Sequence, residues 1–198
     1  MEERFINDIY FTLGEGIYLM NKIKANKVYI LSGPAGVGKS TTSKELAKKL
    51  AKSSYISGDY ISHMHINGRK KPWESREEVT LIWDNILSLT KNFLRYGNDV
   101  VVDYVSFPQE VRWLKENLKG LNVEVIYAVL WTDIETLIKR DKLREPENRM
   151  GERCLILFDE FLESELEEKH FLNTSNNSTL DIPHVINEIM NNPKYKII

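Results

Sequence analysis

The sequence predicts an α/β protein, a parallel sheet wrapped on both faces by helices, and three observations predict it. Short apolar runs alternate along the chain with longer runs of helical periodicity, the pattern of a sheet built through helical crossovers. A glycine-rich stretch, Gly33–Ser40, stands between the first apolar run and the first helical one. The third observation is Val123–Trp131, a nearly uninterrupted apolar run, as expected of a parallel strand buried on both faces. Crossovers between such strands are right-handed. At 198 residues the chain is long enough to cover both faces of one sheet.

Composition narrows the class. A hydrophobic content of 42% and a charged content of 28% are ordinary for a soluble globular protein. A net charge of −2 offers no overall attraction to nucleic acid or to an anionic membrane. The single cysteine, Cys154, cannot form an intramolecular disulfide and suits a reducing compartment. It sits in a helical run beside Leu155 and Ile156, so a packed thiol is expected. Glu2, Glu3, Arg4 and Asp8 precede any apolar run, the wrong charge order for a secretory signal. The Ile9–Met20 run is too short to span a bilayer and is interrupted by Gly14, Glu15 and Gly16. A cytoplasmic protein without a membrane partner is expected.

Taken in order, residues 1–26 read as an N-terminal extension, with Phe5, Ile6, Ile9, Tyr10 and Leu13 near helical spacing. The domain proper is expected over residues 27–198. Lys27–Ser32 reads as its first strand and Ser40–Ala51 as its first helix. Between them Gly-Pro-Ala-Gly-Val-Gly-Lys-Ser matches the phosphate-binding pattern G-x-x-x-x-G-K-[ST]. In the order strand, loop, helix, backbone N–H groups curl round a polyphosphate at the helix N-terminus. Gly33, Pro34, Ala35, Gly36, Val37, Gly38, Lys39, Ser40 and Thr41 are therefore the expected nucleotide-binding residues. Lys39 is expected at the β- and γ-phosphates, Ser40 on Mg²⁺ and Thr41 at the α-phosphate.

Ser54–Ser57 reads as the second strand, ending in Gly58-Asp59-Tyr60. Ligands of open α/β sheets bind outside the carboxyl ends of strands, which puts Asp59 on the edge of Lys39. Asp59 is a candidate base there, or else a cap of the following helix. In the loop Ile66–Ser75, Arg69, Lys70, Lys71 and Trp73 either line a pocket for an anionic or ring-bearing substrate or form a solvated charge run. Ser75–Tyr96 reads as a long helix, opened by a Ser75/Glu78 capping box and ended by Gly97. Its apolar stripe is Val79, Ile82, Trp83, Ile86, Leu89 and Phe93, expected in the core.

Asn98–Val102 runs into Asp103-Tyr104, the Walker-B arrangement in which a carboxylate at a strand end holds Mg²⁺. The alternative is an aspartate capping the turn into a helix begun by Pro108. After Val123–Trp131, Thr132-Asp133 caps a helix over Ile134–Arg144. Arg140 and Arg144, four apart, share a face of it and either meet a transferring phosphoryl group or satisfy the helix dipole. Glu145–Gly151 reads as a flexible lid, Glu152–Lys169 as an acidic helix and His170–Asn173 as the last strand. A polar loop from Thr174 to Asn177 follows, and Ile182, Val185, Ile186, Ile189 and Met190 mark an amphipathic final helix. His63 and His65 have no third metal ligand near them.

The phosphate loop with Thr41 and Thr42, Ser57-Gly58-Asp59, Val100-Val101-Val102-Asp103-Tyr104 and Arg140-x-x-x-Arg144 together resemble the small P-loop kinases. Within them the chain is most similar to bacterial gluconate-kinase-like proteins, which also carry stretches like Pro72-Trp73-Glu74-Ser75 and Met150-Gly151-Glu152-Arg153-Cys154. It is similar in less detail to chloramphenicol phosphotransferase and to the kinase half of polynucleotide kinases. The resemblance covers about residues 27–198. It implies a P-loop NTPase fold of the nucleoside-monophosphate-kinase type: a three-layer sandwich, its five-stranded parallel sheet in order 2-3-1-4-5, with a short lid near 145–151. It further implies ATP and Mg²⁺, a phosphotransferase with an alcohol acceptor, Asp59 as catalytic base, and Lys39, Arg140 and Arg144 at the phosphates. Adenine would lie on the loop of Thr174, Ser175 and Asn176.

The acceptor is expected to be a small molecule such as a sugar acid or an antibiotic, met by Asp59, Trp73, Asp103 and Tyr104. Ser40 and Asp103 are the expected metal residues. The loop Ile66–Ser75 departs from the substrate side of gluconate kinases, and Asp103-Tyr104 is nearer to the polynucleotide and antibiotic kinases. Two other functions compete with a small-molecule kinase. A nucleotide-dependent switch or ATPase scaffold lacks an Asn-Lys-x-Asp signature, and a polynucleotide 5′-hydroxyl kinase rests on Arg69-Lys70-Lys71 against an acidic overall balance.

Overall fold

Each strand forms on an apolar run that ends at, or one residue before, a small or polar residue. The computed structural model describes residues 25–175 and 181–197. Its strands are β1 (Asn26–Ser32), β2 (Ser53–Ser57), β3 (Asp99–Asp103), β4 (Val123–Trp131) and β5 (Phe171–Asn173). All pair in parallel, in the order β2-β3-β1-β4-β5 that the resemblance implies. The register sets Asp103 opposite both Leu31 of β1 and Ser57 of β2. The segments leaving these three strands, which begin at Gly33, Gly58 and Tyr104, therefore emerge along one edge.

Among the described residues seven helices cover the sheet: α1 (Lys39–Lys49), α2 (Gly58–Ser62), α3 (Arg76–Arg95), α4 (Pro108–Asn117), α5 (Ile134–Lys142), α6 (Glu152–Glu163) and α7 (Ile182–Asn191). Alternation along each strand divides the core in two. On one face Val28, Ile30, Val100 and Val102 meet Ile82, Trp83 and Ile86 of α3, Val111 and Leu114 of α4, and Phe161 of α6. On the other, Tyr29, Leu31, Val101 and Leu130 meet Leu46 of α1, Leu137 of α5, and Val185, Ile186 and Ile189 of α7. Burying each such aliphatic side chain contributes about 1.5–3 kcal/mol.

Several boundaries differ from the expected ones. The Ser75 hydroxyl caps α3 by accepting the Glu78 N–H at 3.2 Å, yet the Glu78 side chain does not return to complete a capping box. It turns inward, accepting from Ser62 Oγ at 2.8 Å and lying 3.3 Å from His65 Nε2. The buried row of α3 runs Ile82, Ile86, Thr90, Leu94, whereas Leu89 and Phe93 are 38% and 37% exposed. A row spaced by four advances about 40° per step round the helix, so burial winds away from the straight stripe. α5 stops at Lys142, before Arg144, and α6 stops at Glu163, where Ser164 becomes extended. The chain then makes a separate turn over Glu168–His170, which buries His170 just ahead of β5. The helix expected in the N-terminal extension lies outside the described residues. Among the described residues no helix is long and apolar enough to cross a membrane.

Candidate active site

The carboxyl edge of β1, β2 and β3 opens into a cleft of about 780 Å³, within the range of small-molecule sites. At one end lies the glycine loop. Gly33 sits at φ +132°, and a Cβ there would come within 2.3 Å of the Leu130 carbonyl oxygen. Only glycine lets the loop leave β1 so close to β4. Gly36, Gly38, Lys39, Ser40 and Thr41 face the cleft. Lys39 Nζ folds back to donate to the carbonyl oxygens of Gly33 at 2.9 Å and Pro34 at 3.0 Å. Enclosure of the ammonium lowers its pKa; Asp103 and then Asp59 oppose that shift, while Arg144 adds to it. Asp59, Asp103 and Arg144 thus lie near enough to Lys39 to act on its charge.

These acidic residues are held differently. Asp59 is exposed, faces the cleft and lies in the first turn of α2. The cap of that helix is Ser57, whose hydroxyl accepts the Tyr60 N–H, so the capping alternative for Asp59 falls away. Asp103 is only 4% exposed, accepts a 2.6 Å hydrogen bond from the Tyr55 hydroxyl and is not itself part of the cleft lining, though its charge acts on Lys39, which is. It does not cap α4, which Phe107 begins, with the Glu110 carboxylate accepting the Phe107 N–H at 2.9 Å. Between the two acids Tyr104 forms part of the wall. Gly58 packs flush on its ring, so that a Cβ at Gly58 would meet ring carbons at 2.3 Å.

Arg140 and Arg144 do not act as a pair on one face, a correction to the expected arrangement. Because α5 ends between them, only Arg144 reaches the cleft. Arg140 turns beneath the glycine loop and donates to the Val37 carbonyl at 3.1 Å and to the Thr174 carbonyl and hydroxyl at 2.9 and 3.3 Å. Thr174 also donates through its hydroxyl to the Trp131 carbonyl, and Ser175 Oγ accepts the Asp133 N–H, so both side chains brace their loop. Asn176 lies outside the described residues.

With this geometry in hand, residues 28–155 match the family model AAA_33, described as an AAA domain. The chain belongs to this P-loop kinase family. Solved structures similar to it share its fold at low identity. The APS kinase of Mycobacterium tuberculosis, solved with AMPPNP and APS, is 15% identical with a TM-score of 0.60, over 84% of this chain and 96% of that one. The tunicamycin resistance protein of Deinococcus radiodurans is 16% identical with a TM-score of 0.59, over 85% and 96%. A gluconokinase from Sinorhizobium meliloti is 17% identical with a TM-score of 0.55, over 84% and 90%. No curated protein matches the chain in sequence.

Beyond Asp59 the cleft of this P-loop kinase family member continues into a chamber that the sequence signalled only at Trp73 and Tyr104. Arg76, Val79 and Trp83 come from α3, Phe107, Gln109 and Glu110 from the start of α4, and Arg153, Leu157 and Glu160 from α6. The last three recur at i, i+4 and i+7, a spacing that marks one helix face. Trp83, assigned to the core by its place in the α3 stripe, is buried and also forms part of this wall. The basic loop is a solvated charge run apart from its first member: Lys70 pairs with Glu77 and Lys71 with Glu74, both exposed, while Arg69 Nε donates to Ser62. None of the three faces the cleft. Asp141 also went unsignalled. Buried, it accepts the N–H groups of Met150 at 3.1 Å and Gly151 at 2.9 Å and pairs with Arg144 at 3.4 Å. Burial alone would raise its pKa, but these donors outweigh it and hold the carboxyl below its ordinary value.

Proposed function

We propose that this protein is a cytoplasmic ATP-dependent kinase that transfers the γ-phosphate to a hydroxyl of a small molecule. One observation carries the reading: a single cleft runs from the glycine loop, past Asp59 and Arg144, into a walled chamber large enough for an acceptor. The loop amides, Lys39 and Thr41 hold the phosphates, and the loop after β5, braced by Arg140, holds the adenine side. The APS kinase solved in complex with AMPPNP and APS shares this fold. Residues 27–198 form the kinase domain, with a lid near 145–151.

An all-oxygen donor set suits Mg²⁺: the Ser40 hydroxyl faces the cleft, and Asp103 keeps one carboxylate oxygen beyond the one bonded to Tyr55. When bound, the ion would neutralise phosphate charge. In transfer, the acceptor oxygen forms a bond to the γ-phosphorus as the bond to the β-phosphate bridging oxygen breaks. The acceptor proton passes to Asp59, which lies at the junction of the two ends. Arg144, held by Asp141, stabilises the transferring charge. Positioning and charge carry most of the rate gain.

Lys39→Ala is expected to abolish transfer. Asp59→Asn is expected to slow it by about 10²-fold or more while leaving ATP-analogue affinity unchanged, the scale of losing a general base. Phosphate transfer to a panel of hydroxyl compounds measures both, and near-normal turnover in Asp59→Asn would sink the base assignment.

A further inference from the structure

The walls beyond Asp59 restrict what can be phosphorylated. Trp73 stands at the mouth, 48% exposed, while Trp83 and Tyr104 lie deeper and are buried. Trp83 and Tyr104 meet edge-on, with centroids 6.0 Å apart and planes at 66°. Phe107, Val79 and Leu157 extend the apolar surface.

Two charged members of the chamber, Arg153 and Glu160, are committed to each other, whereas the Arg76 guanidinium has no hydrogen-bond or ion-pair partner among the described residues. Arg153 makes two parallel bonds to Glu160, at 2.8 and 3.1 Å, with its guanidinium 5.6 Å from the centroid of the Trp73 ring. The Glu110 carboxylate accepts from the Phe107 N–H and the Gln109 amide. The Tyr104 hydroxyl has no hydrogen-bond partner among the described residues, and burial, followed by the nearby Asp59 charge, raises its pKa, so it is a neutral donor beside the candidate base.

A polyhydroxy acid would have to strip its several hydroxyls of water, with Arg76 and the Tyr104 hydroxyl as the uncommitted donors on these walls. That leaves polar atoms unsatisfied, at a cost in affinity for each. A flat ring instead gains by stacking and by burial on the same walls. Resting on the kinase reading, we propose that the acceptor is a ring-bearing alcohol, a nucleoside or aryl glycoside in chemical class, in preference to a sugar acid. Its ring lies against Trp73 and the Trp83–Tyr104 pair, and its hydroxyl reaches Asp59.

Calorimetric titration of the full chain with uridine, adenosine and phenyl β-glucoside, beside gluconate and glycerol, tests this, with a non-hydrolysable ATP analogue titrated separately. At least one ring-bearing probe is expected to bind saturably and more tightly than gluconate. Trp73→Ala is expected to weaken that probe about tenfold, a typical stacking contribution, and Trp73→Phe to restore most of the affinity. Trp73 is exposed, so neither change threatens the fold, and unchanged analogue binding checks that. Gluconate as the tightest ligand overturns the proposal, as does an unchanged ring-probe affinity in Trp73→Ala, or no ring-probe binding in protein that binds the analogue. Ring-probe binding without any analogue binding would leave the chamber as proposed and overturn the transfer reading instead.

Discussion

Asp141 shows how one buried side chain orders the site from outside it. Its carboxylate collects the N–H groups of Met150 and Gly151 and the Arg144 guanidinium, all within 3.4 Å. An amide in its place would turn one acceptor oxygen into a donor facing donors. Asp141→Asn is therefore expected to cost about 1–3 kcal/mol, the range for leaving buried groups unsatisfied, and to lower kcat by releasing Arg144. Chemical denaturation and turnover measure the two effects, and wild-type values in both would remove Asp141 from this role. The folded pKa lies below the unfolded value. Its contribution is thus present above the unfolded carboxyl pKa of about 3.9 and lost as pH falls through the folded one. Asp141 was not singled out from the sequence because an aspartate inside a basic helix end reads as surface. Only the return of Met150 and Gly151 makes it an acceptor.

At the scale of elements, the short turn before β5 carries a pH dependence of its own. His170 is 3% exposed. Its Nδ1 lies 2.9 Å from the Tyr127 carbonyl, which can only accept, so Nδ1 carries a proton. Burial lowers its pKa, more than the bond to Tyr127 raises it. Below the ordinary histidine value of about 6.5 the unfolded chain binds the proton and the folded chain resists it. Stability is therefore expected to fall as pH drops from about 6.5 toward the folded pKa, and His170→Gln should flatten that slope. Urea midpoints at pH 7.0, 6.0 and 5.5 measure it, and equal slopes in the two proteins would exclude His170 as the source. Element boundaries were legible where a local signal exists, such as Ser75 capping α3 or Gly97 ending it. They were illegible where a helix simply stops, as α5 and α6 do, because nothing in Leu143 or Ser164 by itself forbids another turn.

For the molecule as a whole, Arg140 of α5 and Arg144 just beyond its end take different partners, although their spacing had assigned them jointly. Arg140 ties α5 to the glycine loop at Val37 and to the segment after β5 at Thr174. Arg144 belongs to the cleft and to Asp141. Arg140→Ala is expected to weaken ATP-analogue affinity and lower the melting temperature. Arg144→Ala should leave both nearly unchanged and reduce kcat by about 10²–10³, the scale of a lost charge-stabilising donor. Calorimetry and transfer rates separate them, and matching behaviour would refute the division. By itself the sequence determined the alternation of strands and helices and the phosphate loop with Lys39 and Ser40, because periodicity and a glycine pattern are local properties of the chain. The tertiary structure alone decided that Arg140 braces while Arg144 faces the cleft, and that α3, α4 and α6 close one chamber beyond Asp59. Those outcomes depend on which faces of distant segments meet, and the crossovers of a parallel sheet set that over separations no local pattern spans.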